Sequence, residues 1–369
     1  MKVYTIKDIA AMAGVSVTTV SRVLNNRPDV NSATREKVEQ IIRECSFVGN
    51  TNARGLKQGN EVIGVVIRGR SNPFLSSLAE AILDRADTVP DNFITEYIDE
   101  KADEFLTALR MTRQNHVKGL IFVGSLIDKR VDAIRGLDIP MVFTTVNAES
   151  AALARASSVA VDDRSMGRVV AEELLNCGHR RIAIFGSNPV AGDSLAMRFQ
   201  GFCDAFTDRG LSYDNTLYRE TRFSFEAGYE LARVFFSERP DATALFAMSD
   251  TVAVGAIRAL RDLGKSVPDD VSVVGFDGVD ISRFTVPRLT TVEQPVSEIA
   301  RRSVNLLLYM MEKELLPDIF WLMLPSVKEN PLRPVTGHNR KEASYYAFQR
   351  HSVAYLFPSF PRGHRLHGR

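Results

Sequence analysis

Val17, Thr18, Ser21 and Arg22 fall on one face of a short helical segment, VTTVSRVL, whose other face carries Val20, Val23 and Leu24. The outward set has the chemistry of base recognition. A guanidinium such as Arg22 can donate a bidentate pair to guanine or hold a phosphate, and Val17 and Thr18 can touch base edges and thymine methyls. The short hydrogen-bonding side chains nearby, Thr5, Ser16, Thr19, Ser21 and Asn25, suit phosphate oxygens. Phosphate contacts set register rather than sequence.

No other cluster has the spacing of a catalytic or metal centre. GxSxG, HExxH and P-loop patterns are absent, and Cys45, Cys177 and Cys203 are widely spaced with no CxxC, as expected of reduced structural thiols. His116 and His179 are isolated, and His179 follows Cys177-Gly178, where an imidazole is expected to cap a helix end. Asp162-Asp163 and Asp269-Asp270 are sequence neighbours, so they are expected to cap helices or line turns rather than to act as an acid/base pair. The expectation is therefore a protein that is not an enzyme, with no metal and no cofactor.

The elements that must hold the reading face follow from the flanking residues. Thr5, with Asp8 three residues on, can cap IKDIAAMA, and Ile6, Ile9, Ala10 and Ala13 give that segment one apolar side. Gly14 can take the left-handed conformation that ends the helix, Val15 can fill the corner, and Ser16 caps VTTVSRVL. Asn25-Asn26-Arg27-Pro28 breaks the pattern, and Ser32 is expected to cap ATREKVEQIIREC, with Val38, Ile41 and Ile42 inward. Two short helices across a tight turn, propped by a third, make a helix-turn-helix.

The chain has 369 residues, 45% hydrophobic and 25% charged, an ordinary globular composition with room for two or three domains. A net charge of +1 hides an asymmetry. Residues 1–60 hold nine Lys/Arg against five Asp/Glu, residues 328–369 eight against two, and the span between 29 against 38. A basic head on an acidic body fits a polyanion-binding module joined to a soluble core. Lys7 and Asp8 interrupt the apolar character of the N-terminus, so no signal peptide is expected. No run approaches the ~20 apolar residues of a membrane span, and the expected location is cytoplasmic.

From residue 61 short apolar runs alternate with helical stretches: EVIGVVI, FITEYI, KGLIFVG, PMVFTTV and SSVAVD, then RRIAIFG, TLYRE, TALFAM and VSVVGF. Continuous apolar runs separated by amphipathic helices indicate parallel sheets covered on both faces. Two such α/β units in sequence predict two lobes, with a ligand site at the carboxyl ends of the strands. The fold class is thus α/β, an all-α headpiece followed by a two-lobed core of parallel sheets flanked by helices.

TIKDIAAMAGVSVTTVSRVLNNRPDVNSATREKV resembles, nearly position for position, the headpiece of the lactose/galactose repressor family. The resemblance continues through SNPF (71–74), VDDRSMGRVVAEELLNCGHRRIAIFG (161–186), MSDTVAVGAIRAL, SVVGFDG and PRLTTVEQP (287–295), and covers about residues 3–312. It implies a periplasmic-binding-protein-like core with a cleft between two subdomains. It also implies a homodimer that binds a palindromic operator in double-stranded DNA under the control of a small-molecule effector. In the family, paired hinge helices fold on DNA and wedge a leucine into the minor groove. Leu56 matches that wedge, within a segment that Asn50 can cap and in which Ala53 shares the face of Leu56. Arg54 and Lys57 would neutralise nearby phosphates. Phe47 and Gly49 stand where the family usually has Tyr and Pro, which should loosen the hinge slightly.

The resemblance also supplies effector-site candidates. Asp277, after VSVVGF, matches a family ligand aspartate and sits where a strand end would open into the cleft. Arg198 matches the arginine that grips ligand hydroxyls or a carboxylate, and Phe223 an aromatic cleft residue. Phe74, in the SNPF loop, is expected to line the other lobe; Ser249 stands where many relatives have Asn; Thr145 joins the set. A carboxylate, a guanidinium and an aromatic suit a polyol, which needs fixed donors and acceptors and an apolar wall, so the expected effector is a sugar or sugar derivative. A solute-binding protein without DNA function is the alternative for the core alone, and an activator the alternative for the whole.

The expected divisions are a headpiece at 1–46, a hinge at 47–60, an effector-binding and dimerisation core at 61–327, and an atypical tail at 328–369. That tail is basic, holds four of the six His and departs from the family pattern. It reads either as a disordered or DNA-attracting extension, or as the product of a frame shift near residue 326. The hinge reading makes one prediction. Leu56→Ala should weaken operator binding while leaving effector binding intact, and equal operator affinity in a fluorescence-anisotropy titration removes the wedge role.

Overall fold

The computed structural model describes residues 6–24, 30–44, 61–69, 72–99, 102–148, 151–188, 194–312, 319–322 and 327–328. It forms two compact units, 1–61 and 62–369. The hinge positions Asn50, Ala53, Arg54, Leu56 and Lys57, together with Thr5, Asn25 and the tail beyond Lys328, lie outside the described residues.

The first unit contains α1 (Ile6–Ala13), α2 (Val17–Leu24) and α3 (Ser32–Glu44). Its core is Ile9, Ala10, Ala13, Val20, Val23 and Val38, with Val15, Ile41 and Ile42 packed against it. Gly14 has φ +65°, a conformation open to glycine at no steric cost. Ser16 caps α2, its hydroxyl accepting from the Thr19 N–H at 3.0 Å. α3 starts at Ser32 itself, one residue earlier than expected, and the Asn31 carbonyl accepts from the Arg35 N–H at 2.9 Å.

The second unit is built on two six-stranded sheets. Its elements run β1 (Val62–Arg68), α4 (Pro73–Ala86), β2 (Asn92–Ile98), α5 (Glu104–Asn115), β3 (Gly119–Val123), β4 (Met141–Thr144), β5 (Ala156–Val161) and α6 (Asp163–Asn176). Then follow β6 (Ile182–Gly186), α7 (Ser194–Asp208), β7 (Tyr218–Glu220), α8 (Phe225–Glu238), β8 (Ala244–Ala247), α9 (Asp250–Asp262), β9 (Ser272–Asp277), β10 (Thr290–Glu293), α10 (Val296–Glu312), β11 (Ile319–Leu322) and β12 (Val327–Lys328).

Lobe 1 has the strand order β11-β5-β4-β3-β1-β2 and lobe 2 the order β12-β10-β9-β8-β6-β7. Every pairing is parallel except β10 with β12. The apolar runs become strands because they are buried on both faces: β3, β4, β5, β6, β8 and β9 have no exposed position.

The lobes are not two units in sequence, as the alternation suggested. After β10 the chain returns to lobe 1, where Ile299, Ala300, Val304, Leu307 and Met310 of α10 join the core made by β1, β3 and α4. β11 then extends sheet 1, and β12 returns to sheet 2. The chain therefore passes between lobes between β5 and α6, between β10 and α10, and between β11 and β12. Periodicity reports a helix and its apolar face but not which sheet receives it.

Lobe 2 is tightened by glycines. A Cβ on Gly167 of α6 would lie 1.9 Å from the Arg198 carbonyl oxygen, and one on Gly201 of α7 1.8 Å from that of Arg164. The two backbones thus meet directly, and no flexible side chain can give way. Gly201→Ala should separate α6 from α7 and lower stability by about 3 kcal/mol, the upper range for an overpacked core. Urea unfolding within ~0.5 kcal/mol of wild type, the usual range for harmless surface changes, sinks that account.

Candidate functional site

On the first unit, α2 presents Val17 at 41% exposure and an exposed Arg22, with Ser16 exposed and Thr19 half-buried at its start. Thr18 and Ser21 also lie in α2. Val20 and Val23 of the same helix are buried, so packing of one face fixes that Val17 and Arg22 look outward.

In lobe 2 the carboxyl ends of the strands hold a cluster of buried charge. Arg198, 4% exposed, donates from Nε and Nη2 to Asp163 Oδ1 at 3.1 and 2.6 Å. Its Nη1 donates to the Met248 carbonyl at 2.9 Å, and its guanidinium carbon lies 3.2 Å from the centre of the Phe276 ring. Three neighbours thus satisfy one cation, a carboxylate, a carbonyl and an aromatic face, and Ser194 hydrogen-bonds the carboxylate in turn. Burial pushes the Asp163 carboxyl up, and Arg198 opposes that shift.

Asp277 ends β9 with φ 112°, a backbone region that costs free energy outside glycine. Its Oδ1 accepts from Gln294 Nε2 at 2.9 Å, and its carbonyl accepts from the Gln294 N–H at 3.0 Å. Burial pushes its carboxyl up to about 7, opposed by the charge of Arg198 and by hydrogen bonds from Gln294 and Ser249. Among the described residues it has no ion-pair partner within 4.0 Å. Asp250 beside it is wholly buried. One of its oxygens accepts from the Thr291 hydroxyl at 2.6 Å and the other from the Val279 N–H at 2.9 Å. Burial and the neighbouring Asp277 hold Asp250 well above the usual carboxylate range.

Of the sequence candidates, the structure gathers Arg198, Ser249 and Asp277 in lobe 2. Ser249 is the N-cap of α9, its hydroxyl 2.8 Å from that of Thr251. Thr145 directly follows β4 of lobe 1 with φ 73°, and its carbonyl accepts from the Ser194 hydroxyl at 2.8 Å, a contact between lobes. Phe223 is half-buried against the lobe 2 core, one residue before the Ser224 cap of α8. Phe74 is not in a loop. Asn72 caps α4 by accepting from the Phe74 and Leu75 N–H groups, and Phe74, 4% exposed, packs into the lobe 1 core.

Asp163, Gln294, Ser194 and Asp250 escaped the sequence reading. Asp162 caps α6 as expected, its Oδ1 accepting from the Ser165 N–H at 3.0 Å, whereas Asp163 beside it is the partner of Arg198. Asp270 lines a turn as expected, accepting from the Ser266 N–H at 2.6 Å. His179 does not cap with its imidazole: its ring lies 2.9 Å from the Thr243 hydroxyl and 3.1 Å from that of Ser272. No group of three or more metal-ligating side chains occurs among the described residues, and none of the described helices is long and apolar enough to cross a membrane.

The raised Asp277 carboxyl sets a sign for pH. Its folded value of about 7 lies above the ~3.9 of an unfolded aspartate, so its contribution to stability is complete below pH ~4 and is lost as pH rises through about 7. Within that window the slope is about 1.4 kcal/mol per pH unit for one group, and Asp163 and Asp250 act in the same direction. Asp277→Asn should flatten the decline of stability between about pH 5 and 7. Parallel urea-unfolding profiles for variant and wild type rule this out.

Comparison with known proteins bears on both parts. Residues 5–50 match the family described as bacterial regulatory proteins, lacI family, and residues 171–328 match the periplasmic binding protein-like domain. The chain is 34% identical over 315 residues to the HTH-type transcriptional regulator MalR of Clostridium butyricum, covering 82% of this chain and 91% of that protein. Its fold matches the transcriptional regulator CelR in complex with cellobiose at a TM-score of 0.65 and 27% identity, covering 87% of this chain and 97% of that one. It also matches the lac repressor dimer bound to operator and the anti-inducer ONPF at a TM-score of 0.62 and 28% identity, covering 86% and 97%.

Proposed function

The chain belongs to the lacI family of bacterial regulatory proteins, and from that premise we propose that it represses transcription as a homodimer on a palindromic operator, released or engaged by a carbohydrate effector. The observation that carries the reading is the α2 face: a helix in a helix-turn-helix that turns Val17 and Arg22 outward, as a major-groove reader must. The divisions 1–46, 47–60 and 61–327 then serve as reader, hinge and sensor. The protein acts in the cytoplasm, and its chemistry is binding rather than catalysis.

A second copy has a surface to meet. Ile281, Phe284 and Val286 are 41%, 76% and 81% exposed within six residues. Apolar groups of that size so placed mark an interaction surface. Two headpieces then face half-sites about one helical turn apart.

The effector reading rests on the cluster around Asp277. Arg198 is already occupied by Asp163, the Met248 carbonyl and Phe276, so its task is to hold Asp163 and present what donor capacity remains. Asp277, whose carboxyl accepts hydrogen bonds from Gln294 and Ser249 among the described residues, has acceptor capacity left for ligand hydroxyls. Polyols of this kind appear in the neighbour complexed with cellobiose.

Selection from a randomised DNA library with the full-length protein at stated salt should recover a palindrome with a deformable central step. Recovery of isolated half-sites or of no site sinks the dimeric reading. For the core, thermal shift with a panel including D-ribose and cellobiose should find a stabilising sugar. Asp277→Asn should weaken that sugar at least about tenfold, the worth of one buried charge-assisted hydrogen bond, without changing operator affinity in its absence. An unchanged isotherm removes Asp277 from the site. Arg198→Ala is a poorer probe, because it strands Asp163 as a buried unpaired charge at a cost of about 3–5 kcal/mol.

A further inference from the structure

The two site carboxylates are joined to the segments that cross between lobes. Asp163 begins α6, directly after the crossing from β5. Asp277 is gripped by Gln294, which with Pro295 makes up the two-residue crossing from β10 to α10. Gln294 is itself buried. Pro295 immediately precedes α10, its carbonyl accepting from the Glu298 and Ile299 N–H groups at 3.0 and 2.9 Å. Ile299 and Ala300, one turn on, are in the lobe 1 core.

The turn after Asp277 lies at the same junction. A Cβ on Gly278 would meet Glu293 Cα at 2.6 Å, so the turn is pressed onto the last residue of β10. Val279 donates its N–H to Asp250 of lobe 2 while its side chain packs against the lobe 1 core. A shift of the Asp277 carboxyl therefore meets no slack: the amide of Gln294, a proline and the first turn of a packed helix follow in rigid succession.

We propose that Gln294 is a positioning residue that ties Asp277 to the crossing into α10, so that loading the Asp277 carboxylate moves α10 against lobe 1. The proposal rests on the reading of Asp277 as an effector contact. The amide is suited to the task. Its N–H donates to the carboxylate, and its neutral side chain adds no charge to a site that already buries Asp163, Asp250 and Asp277 around Arg198. The Asp163 and Asp250 carboxyls, the Arg198 guanidinium and the Ser249 hydroxyl are the charged and polar groups that face Asp277 from α6, α7 and the start of α9.

The proton can stand in for a ligand, because it loads or unloads Asp277 without a sugar. The experiment is hydrogen exchange read by mass spectrometry on the full-length protein, free of effector and DNA, at about pH 5.5 and pH 8, either side of the Asp277 transition. In wild type, after correction for intrinsic exchange, charging Asp277 should change protection of residues 294–300 by about threefold or more, a local opening event. Gln294→Leu should abolish that response while leaving β6 and β8 protected as in wild type. Gln294→Asn, which keeps the amide but withdraws it by one methylene, serves the same end if Leu disturbs folding. Asp277→Asn must also abolish the response; its persistence there assigns the effect to Asp163 or Asp250 and overturns the proposal. A response confined to 272–279, an unchanged response in both Gln294 variants, or a uniform loss of protection at both pH values overturns it as well. Because no sugar is present, such a failure leaves Asp277 as an effector contact untouched, and a failed sugar isotherm leaves this measurement untouched.

Discussion

A guanidinium taken out of water must be held on nearly all sides, and in this protein that requirement falls on Arg198. The energetic penalty for burying such an ion is several kcal/mol unless a partner and further hydrogen bonds meet it. Asp163, the Met248 carbonyl and the Phe276 ring meet it from three different elements: the start of α6, the end of β8 and the end of β9. The arrangement is possible only because α6 and α7 touch backbone to backbone at Gly167 and Gly201. The glycine contact falls on Arg198 and its neighbourhood, so helix packing and site electrostatics are one constraint. A single added methyl group would disturb both.

What could be read in the sequence was what depends on near neighbours. The headpiece is local: the apolar spacing of Ile9, Ala10, Ala13, Val20 and Val23, the left-handed Gly14 and the Ser16 cap each act within a few residues. The parallel sheets were legible because doubly buried strands need continuous apolar runs. Arg198, Ser249 and Asp277 stood out through their resemblance to family positions, and the structure brings them together.

What escaped depends on distant partners. Asp163 looked like a cap because it follows one, yet its partner is 35 residues away. Gln294 carries no charge, and although it lies in the family-like stretch PRLTTVEQP, its contact with Asp277 exists only because β9 and β10 are paired. Phe74 belonged to a loop on paper; the Asn72 cap starts the helix before it and turns the ring into the core. His179 followed a helix end, but two hydroxyls from elements 64 and 93 residues away claim its ring. The return of α10 to lobe 1 was equally hidden, since an apolar stripe does not name its sheet.

A lobed sensor controls DNA binding only if the ligand prefers one arrangement of the lobes over the other, and the preference must be transmitted by contacts that differ between them. Contacts wholly inside lobe 2, such as the Phe276 ring beneath Arg198, lie on one side of the crossings and do not by themselves distinguish one arrangement of the lobes from another. Contacts on the crossings are different in kind. Asp163 and Gln294 sit where the chain leaves one sheet for the other, and the Ser194 hydroxyl spans the lobes to the Thr145 carbonyl. On the proposed reading the site stands beside the crossings and needs no separate relay: the groups that bind are adjacent to the groups that move, so loading the one acts on the geometry of the other.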